Sequence, residues 1–382
     1  MNYCIAEPAD REQVVDFANY VFSQAHRPHD FKVLLPKVYA DDAPETAVHY
    51  IARREDGAIR AMVANLPVQM RFGDSALRAG MIGTVSVHPY ARGEGHMKRL
   101  MQMMLDDARA RKLDLLALGG LRQRYGYFGF ESGGAAAAYD ITETNVRRGL
   151  ADVSADGIAF QEIASEDCEG FDFAWRLANA RRIGGERPKA DFLRIMRSWD
   201  SRLRLISRDG RPIGYAMGDS AKKRLEGQIG ELGLASESDL YPVLKALFAQ
   251  DGIGSVTLIA GPHEVERAEL LGRIAEHVQI VSHERIRVLN WQRVLAATLA
   301  AKSEYARLSD GEVALQIGEE TLLMKVENGR ASVSATNRTP DRVLEEKEAV
   351  RALFGVEGAL YRDALYRDWL PLPMYFSPAD TF

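Results

Sequence analysis

Residues 85–104, VSVHPYARGEGHMKRLMQMM, restrict the fold more than any other stretch of the sequence. Val85 and Val87 alternate with polar residues, as in a strand, and Pro89 cannot donate to a strand ladder, so the strand is expected to end there. Two glycines follow. A strand, a glycine turn and a helix are therefore predicted in direct succession, because apolar residues then recur at helical spacing: Met97, Leu100, Met101, Met104, Leu105 and Ala108.

The glycine turn is suited to bind an anion. The first amides of a helix have no partner within the helix, and the helix dipole is positive at that end. Gly93 and Gly95 lack the Cβ atoms that would keep a phosphate from the backbone, and Arg92 adds a permanent positive charge. The alternative is an ordinary turn, since Arg-x-x-Gly alone is common by chance. Neither the GxxxxGK[ST] nor the GxGxxG nucleotide-binding loop occurs here.

The first third of the chain predicts a helix, an antiparallel meander and then the strand, turn and helix. Asp10 with Gln13 predicts a capping box at the start of the first helix. The pairs at 56–57 (Asp-Gly) and 73–74 (Gly-Asp) indicate tight turns between short strands. Residues 113–118, LDLLAL, predict a buried strand that follows the helix.

A second, weaker copy of this order follows. Residues 204–219 resemble residues 50–65, because each reads as a strand, an Asp-Gly turn and a strand. A strand near 230–235, a helix near 239–248 and a strand at 255–260 come next, but the glycine turn is missing. We interpret this as an internal duplication whose second copy has no phosphate site; a chance likeness in the order of elements is the alternative.

The last hundred residues predict a small α+β domain. Residues 288–300 and 339–355 have helical patterns, and strands flank the hairpin turn Asn328-Gly329. The tail after residue 370 is apolar, aromatic and rich in proline. The chain of 382 residues is thus expected to have a mixed α/β, α+β fold with two or three domains.

Composition excludes several classes of function. A net charge of −5 disfavours a nucleic-acid binder. Cys4 and Cys168 cannot form a disulfide framework or a four-thiolate zinc site, and no cluster of metal-ligating residues has suitable spacing. The N-terminus lacks the pattern of a signal peptide, and no apolar run is long enough to span a membrane. These features predict a cytoplasmic protein without a metal.

Two motifs resemble those of the GCN5-related N-acetyltransferase (GNAT) superfamily. VSVHPYARGEG at 85–95, followed by a helix, resembles its acyl-CoA motif, and YGYFGF at 125–130 resembles its Tyr-x-x-x-Gly-Phe. Met97 departs from the pattern, because the superfamily often has glycine or alanine there. A bulky residue at this place could narrow the approach to the phosphates.

An aliphatic residue at this place is tolerated in the enhanced-intracellular-survival (Eis) type acetyltransferases. The chain resembles that family in length, in its degenerate second copy and in its α+β third part. The resemblance implies a GNAT domain at 1–145, a GNAT-like domain without cofactor at 146–283, and a sterol-carrier-protein-like domain at 284–382.

The resemblance also implies the acetyl-CoA site. The strand Gly83–Val87 is expected to splay from its neighbour and to pair with the pantetheine arm, while the amides of residues 93–98 surround the pyrophosphate. The implied binding residues are Val85, Ser86, Val87, Arg92, Gly93, Glu94, Gly95, His96, Met97, Lys98, Gly120 and Leu121.

Tyr125 is predicted to be the general acid, because a phenol stays protonated at neutral pH and can donate to a departing thiolate. The alternative is a structural tyrosine; Tyr127 lies on the wrong side of the motif. The resemblance assigns the base to the α-carboxylate of Phe382, which the apolar tail would hold in place, although most chain ends are frayed. His88 and His96 are expected to face solvent.

The resemblance predicts an N-acetyltransferase that moves an acetyl group from acetyl-CoA to a primary amine. The acceptor would be an aminoglycoside, a polyamine-like molecule or a lysine side chain, and the family suggests a homohexamer. No nucleic-acid or membrane partner is expected. Two other functions stay open: a non-catalytic acyl-CoA sensor, and a lipid carrier that uses the third domain.

Overall fold

A computed structural model describes residues 1–25, 27–219, 226–360, 364–366 and 368–382. The fold is mixed α+β. In this described part of the chain, 13 strands form one continuous sheet and 4 strands form a second, smaller sheet. Helices cover both faces of the large sheet.

The first part of the chain contains six strands and six helices within the described residues. The strands are β1 (Asn2–Ile5), β2 (Val48–Arg53), β3 (Ile59–Phe72), β4 (Ser75–Val87), β5 (Leu115–Leu118) and β6 (Glu131–Thr142). The helices are α1 (Arg11–Ala25), α2 (Phe31–Leu34), α3 (Pro36–Tyr39), α4 (His96–Ala110), α5 (Arg122–Gly126) and α6 (Glu143–Gly149).

The remainder of the chain continues with a second α/β part and a smaller third part. The second part contains β7 (Ile158–Glu162), α7 (Phe171–Asn179), β8 (Ile183–Gly185), α8 (Phe192–Met196), β9 (Ser201–Arg208), β10 (Arg211–Asp219), β11 (Glu226–Leu234), α9 (Leu240–Asp251), β12 (Ser255–Ala260), α10 (Val265–Gly272) and β13 (His277–Val288). The third contains α11 (Trp291–Tyr305), β14 (Gly311–Ile317), β15 (Glu320–Glu327), β16 (Arg330–Ala335), β17 (Arg342–Leu344), α12 (Glu346–Phe354) and α13 (Val356–Leu360).

The large sheet repeats one topology in its two halves. Its order is β1-β2-β3-β4-β5-β13-β6-β12-β11-β10-β9-β7, with β8 on β3. In the first half an antiparallel meander, β2-β3-β4, leads to the parallel pair β4-β5. In the second half the meander β9-β10-β11 leads to the parallel pair β11-β12. The repeated order of elements that the sequence indicates is therefore also a repeat in space.

The two halves exchange their last strands. β13 comes from the second copy but pairs with β5 of the first, and β6 comes from the first but pairs with β12 of the second. β6 and β13 also pair with each other. The predicted boundary between residues 283 and 284 falls inside β13. Because the two halves exchange strands, no single cut of the chain separates them, and the domain limits stay predictions.

The third part shares its core with the first. The small sheet has the order β16-β15-β14-β17. One hydrophobic cluster joins Val313 and Leu315 of β14 to Met81 of β4, and the Trp291 ring of α11 stacks on Phe354 at 6.4 Å. This cluster, called the tail-side core below, contains the side chains on one face of the first half-sheet.

Most local expectations are confirmed. The tight turns at 56–57, 73–74 and 328–329 connect β2 to β3, β3 to β4 and β15 to β16. Two are wrong. Glu7, not Asp10, caps the first helical turn, and the Asp10 carboxylate accepts from the Glu7 N–H at 3.0 Å. The helix predicted from residue 339 begins only at Glu346, because β17 comes first and pairs with β14.

The tail is held by a buried group of charges. Asp380 accepts from Arg187 at 2.8 Å and from the Gly185 N–H at 2.9 Å. Arg187 also donates to Glu231 at 2.7 Å, and Arg181 bonds the same carboxylate. Burial would raise the pKa of Asp380, but Arg187 and Arg181 outweigh it and hold that pKa below its usual value. The tail thus locks onto the second half of the sheet through paired charges away from water.

The buried charges give a stability prediction. Replacing Asp380 by alanine leaves a net positive charge around Arg187 in the core, and removing one partner of a buried ion pair costs about 3–5 kcal/mol. The matched control is Glu327→Ala, which removes an exposed carboxylate paired with Lys325 and should cost no more than about 1 kcal/mol. Urea unfolding of both variants measures the difference, and equal small losses would contradict the buried lock.

Candidate active site

β4 and β5 separate at one end, as the resemblance implies. Their parallel pairing ends at Ile82 with Leu118, and no further β5 partner is found for Gly83–Val87 in the described part of the chain. The pairing of β4 with β3 also shifts register here. The β5-facing backbone groups of Gly83–Val87 are therefore free to bind an extended ligand as an added strand.

The separation is accompanied by a distorted backbone at Thr84. Its φ of 42° lies in the left-handed region, which a β-branched residue rarely adopts. The Thr84 hydroxyl lies 2.7 Å from the Tyr39 hydroxyl, which lies 3.2 Å from His49 Nε2. Burial lowers the pKa of His49 to about 4, so this ring is neutral. The chain of three side chains holds the distortion in place from inside the core.

The glycine turn opens onto the N-terminus of α4. Gly93 and Gly95 have φ values of 86° and 81°, which glycine adopts without strain. A methyl group built on either would meet no protein atom within 4 Å. The first backbone bond of α4 is from Arg99 N–H to the Gly95 carbonyl at 3.2 Å, so the amides of residues 96–98 are not used within the helix. The turn has the form of an anion cradle.

A cleft of about 970 Å³ brings most of the predicted coenzyme residues together. Arg92 and Lys98 are exposed beside it and make its mouth basic. Met97 packs partly against the core under α4 and leaves the cleft open. The predicted residues that line the cleft are Val85, Ser86, Val87, Arg92, Gly93, Gly95, His96, Met97 and Lys98.

The histidine beside the cradle is buried, so the expectation that His96 faces solvent is wrong. Its side chain is 5% exposed. Nε2 donates to the Glu94 carboxylate at 3.0 Å, and Nδ1 lies 2.7 Å from the Tyr3 hydroxyl. Both ring nitrogens are in use, which leaves the backbone amide of His96 for a ligand. His88 is half-buried and stacks on Tyr20 at 5.2 Å.

The second glycine pair places Tyr125. A methyl group built on Gly120 would lie 2.7 Å from Cε2 of the Tyr125 ring, so this ring covers the end of β5. Tyr125 is 7% exposed, and burial raises the pKa of its phenol although Arg124 opposes the rise. The phenol is therefore protonated at neutral pH. Leu121 is 61% exposed. Four of the predicted site residues do not line the cleft: Glu94, Gly120, Leu121 and Tyr125.

Phe382 lies at the point where β4 leaves β5. Any side chain on Gly83 would collide with the Phe382 ring, and that ring lies edge-on to Tyr39 at 6.4 Å. Lys37 Nζ donates to the Ala379 carbonyl at 2.8 Å and also to the Thr381 carbonyl. Burial lowers the pKa of Lys37 to about 7. The expected pinning of the tail is confirmed, with these side chains in the tail-side core: Trp369, Leu372, Met374, Tyr375 and Phe376.

Sequence reasoning missed one carboxyl group close to this point. Glu284 of β13 lies beside β5, where a methyl group built on Gly119 would be 3.7 Å from Glu284 Oε2. Burial raises the pKa of Glu284 to about 7, although Arg285 opposes the rise. No local motif marks it, because strand exchange brings it there. The other cleft residues that were missed are Val21, Phe22, Ala91, Arg124, Tyr127 and Phe128.

The second half of the sheet has no equivalent cradle. The 3-10 turn before α9 carries Glu237 and Asp239, where an anion would otherwise bind. Glu237 pairs with Arg267 at 2.5 Å, and Asp239 with Arg208 at 2.8 Å. Protein carboxylates thus take the place of a phosphate there.

Among the residues that the structure describes, no group of three or more His, Cys, Asp or Glu side chains is arranged to hold a metal ion. No helix in the same residues is long and apolar enough to cross a membrane.

The N-terminal region matches a known family. Residues 3–133 match the family model for the acetyltransferase (GNAT) domain. These residues contain the cleft, the glycine turn and Tyr125. No curated protein matches the chain in sequence.

Solved structures with a similar fold span nearly the whole chain. A GCN5-related N-acetyltransferase from Anabaena variabilis has a TM-score of 0.70 at 16% identity, with 100% of each chain covered. Eis1 from Mycobacterium abscessus has a TM-score of 0.66 at 15% identity, again with 100% of each covered. A probable N-acyltransferase from Enterococcus faecalis V583 has a TM-score of 0.67 at 16% identity, covering 91% of this chain and 88% of that one.

These likenesses establish the GNAT fold. Together with the family match over residues 3–133, they show a GNAT domain in the first part of the chain. At this identity the structural likeness to Eis1 concerns fold alone, so kinship with the Eis type belongs to the proposal below.

The half-buried carboxyl of Glu284 gives a prediction that needs no ligand. Its pKa is about 7 in the folded chain and near 4.5 when unfolded, so ionisation favours unfolding. The penalty is absent below pH 4.5, grows up to pH 7 and then stays constant. Glu284→Gln should therefore be more stable than the wild type by about 3 kcal/mol at pH 8 and nearly equal to it at pH 4.5. Thermal unfolding at both values measures this, and a pH-independent difference would contradict it.

Proposed function

We propose that this protein is an Eis-like N-acetyltransferase that transfers an acetyl group from acetyl-CoA to a primary amine. One observation carries the proposal: a single cleft runs from the anion cradle of α4 along the open edge of β4. A cleft of this shape fits a ligand that has a diphosphate at one end and an extended, amide-bearing arm along the strand.

The residues present fit the coenzyme. The free amides of residues 96–98 and the open space at Gly93 and Gly95 suit a pyrophosphate. Along β4, the buried Ser86 hydroxyl has no hydrogen-bond partner among the described residues. A buried polar atom without a partner is costly, and an amide of the pantetheine arm would satisfy it.

Tyr125 is the proposed general acid. With the pyrophosphate at residues 93–98, an arm that runs back along β4 from Val87 reaches Gly83 with its sulfur end. Tyr125 lies at Gly120, across the gap from there. Its raised pKa keeps the phenol protonated until the thiolate departs.

The α-carboxyl of Phe382 is the proposed partner of the acceptor nitrogen. Two observations support this role. The Phe382 ring packs on Gly83, and Lys37 and Asp380 fix the residues that precede Phe382. A negative group held there would orient an ammonium toward the thioester.

The acceptor is proposed to be a cationic primary amine, such as an aminoglycoside, a polyamine or a lysine side chain. A cavity of about 230 Å³ beside the tail is lined by residues of both halves, among them Asp380, Glu186 and Asp191. Each of these carboxylates is paired with an arginine, and Lys37 and Arg187 line the same cavity. The proposed preference for a cation therefore rests on the terminal carboxylate of Phe382. The third part as a sterol-carrier-like scaffold, a cytoplasmic location and a homohexamer belong to the same proposal.

A thiol-release assay tests the function and the role of Tyr125. The wild type should release CoA from acetyl-CoA with at least one member of a panel of amines. Tyr125→Phe should lower kcat by about 10²-fold, because the thiolate loses its proton donor. Its Kd for acetyl-CoA should not change, and Tyr139→Phe, at a tyrosine of β6 away from the cleft, is the matched control. Binding of acetyl-CoA without thiol release for any amine would instead indicate an acyl-CoA sensor.

The position of the tail gives a second prediction. One glycine appended after Phe382 should reduce turnover by about 10²-fold, because the carboxylate moves away from the nitrogen that it orients. The Kd for acetyl-CoA, measured by calorimetry, should stay the same, since the cradle lies on α4. Unchanged turnover in this variant would remove the terminal carboxylate from the mechanism.

Fatty-acyl binding that survives Arg92→Ala and Gly95→Val would point to the lipid carrier.

A further inference from the structure

Glu284 and Phe382 lie on the same face of the sheet, on either side of the gap between β4 and β5. The paired residues Met81 and Ala117 both belong to the tail-side core, whereas the next pair, Ile82 and Leu118, points to the core under α4. The side chains of successive strand residues alternate between faces. Gly83 and Gly119 therefore face the tail-side core again.

The contacts at these two glycines confirm the geometry. The Phe382 ring covers Gly83, and the Glu284 carboxyl covers Gly119. Ile286, two residues after Glu284 on β13, belongs to the same tail-side core. Tyr125 lies in the core on the opposite face. The gap thus has carboxyl groups on one face and a phenol on the other.

Glu284 has no structural partner. Neither of its carboxyl oxygens forms a hydrogen bond or an ion pair with another residue that the structure describes. Other buried carboxylates nearby are paired: Glu131 with Arg122 and Arg351, and Asp114 with Arg293. A half-buried carboxyl without a partner destabilises the fold, so its presence needs another reason.

We propose that Glu284 is the general base of the acyl transfer. This rests on the proposed function. The Glu284 carboxylate first takes one proton from the acceptor ammonium and releases it to solvent. The uncharged nitrogen then attacks the thioester carbonyl carbon from the tail-side face, a C–N bond forms and the C–S bond breaks. The departing sulfur takes the proton of the Tyr125 phenol, and the second proton on nitrogen restores that phenol. The products are an amide, free CoA thiol and one proton in solvent.

The neighbouring titratable groups suit this task less well. His49 is bonded to Tyr39 and its ring is buried behind Thr84. A terminal carboxylate has an ordinary pKa near 3.5, which makes it a weak base. Orienting the ammonium is thus the task of Phe382, and accepting the proton is the task of Glu284.

The test compares two acceptors with Glu284→Gln. A primary alkylamine is protonated at neutral pH and needs a base, whereas an alkoxyamine is already uncharged. The variant should lower kcat for the alkylamine by about 10²-fold and leave the alkoxyamine within about threefold of wild type. The Kd for acetyl-CoA should not change. Glu269→Gln, at an exposed site on α10, is the matched control and should behave as wild type for both acceptors.

Glu284→Asp, which keeps a carboxyl group, should recover part of the alkylamine activity and guards against a folding defect in the first variant. Wild-type kcat for the alkylamine in Glu284→Gln would overturn the assignment while the transferase function stands. Equal slowing of both acceptors would also overturn it, because it would indicate a structural role. A wild type that acetylates no amine would overturn the transferase function, and with it the role of Glu284.

Discussion

The site depends on the separation of β4 from β5 beyond Ile82 and Leu118. Up to that pair the two strands are joined as in any parallel sheet. Beyond it, unpaired backbone groups of β4 would be costly if nothing bound them. The register shift at β3 and the left-handed Thr84 maintain the opening, and the Tyr39 hydroxyl holds Thr84 from the core side. The strained residue and the free edge therefore belong to one arrangement that makes room for a strand-like ligand.

The opening is framed by residues from distant parts of the chain. Strand exchange brings β13 beside β5, and buried ion pairs fasten the tail to the second half of the sheet. The ion pairs are costly to build, since their charges must leave water. The common result of both devices is that the Phe382 ring lies against Gly83 and the Glu284 carboxyl against Gly119. The second half thus serves the first as a support, because its own helix terminus is filled by Glu237 and Asp239.

The charged groups near the site lie in two regions. Arg92 and Lys98 are exposed at the cradle, where a phosphate can approach from solvent. Around the gap between β4 and β5 the groups are withdrawn from water, and their pKa values are shifted toward neutrality for Lys37 and Glu284 and upward for Tyr125. Shifted values of this kind are frequent where protons are transferred. The proposed function accordingly places coenzyme binding at the solvated cradle and the chemistry at the gap between β4 and β5.

Through its resemblance to the GNAT superfamily, the sequence predicted the fold and nine of the residues that line the cleft. By itself it determined the local units: the strand, glycine turn and helix at 85–104 and the tight turns. Each follows from spacing or from a residue type whose effect is local, such as glycine at positive φ. Only the tertiary structure decided that His96 is buried against Tyr3, that Asp10 is not the helix cap, and that Glu284 faces Gly119. Strand pairing and burial depend on residues far apart in sequence, and a carboxyl group becomes a candidate base only through the neighbours that exclude water from it.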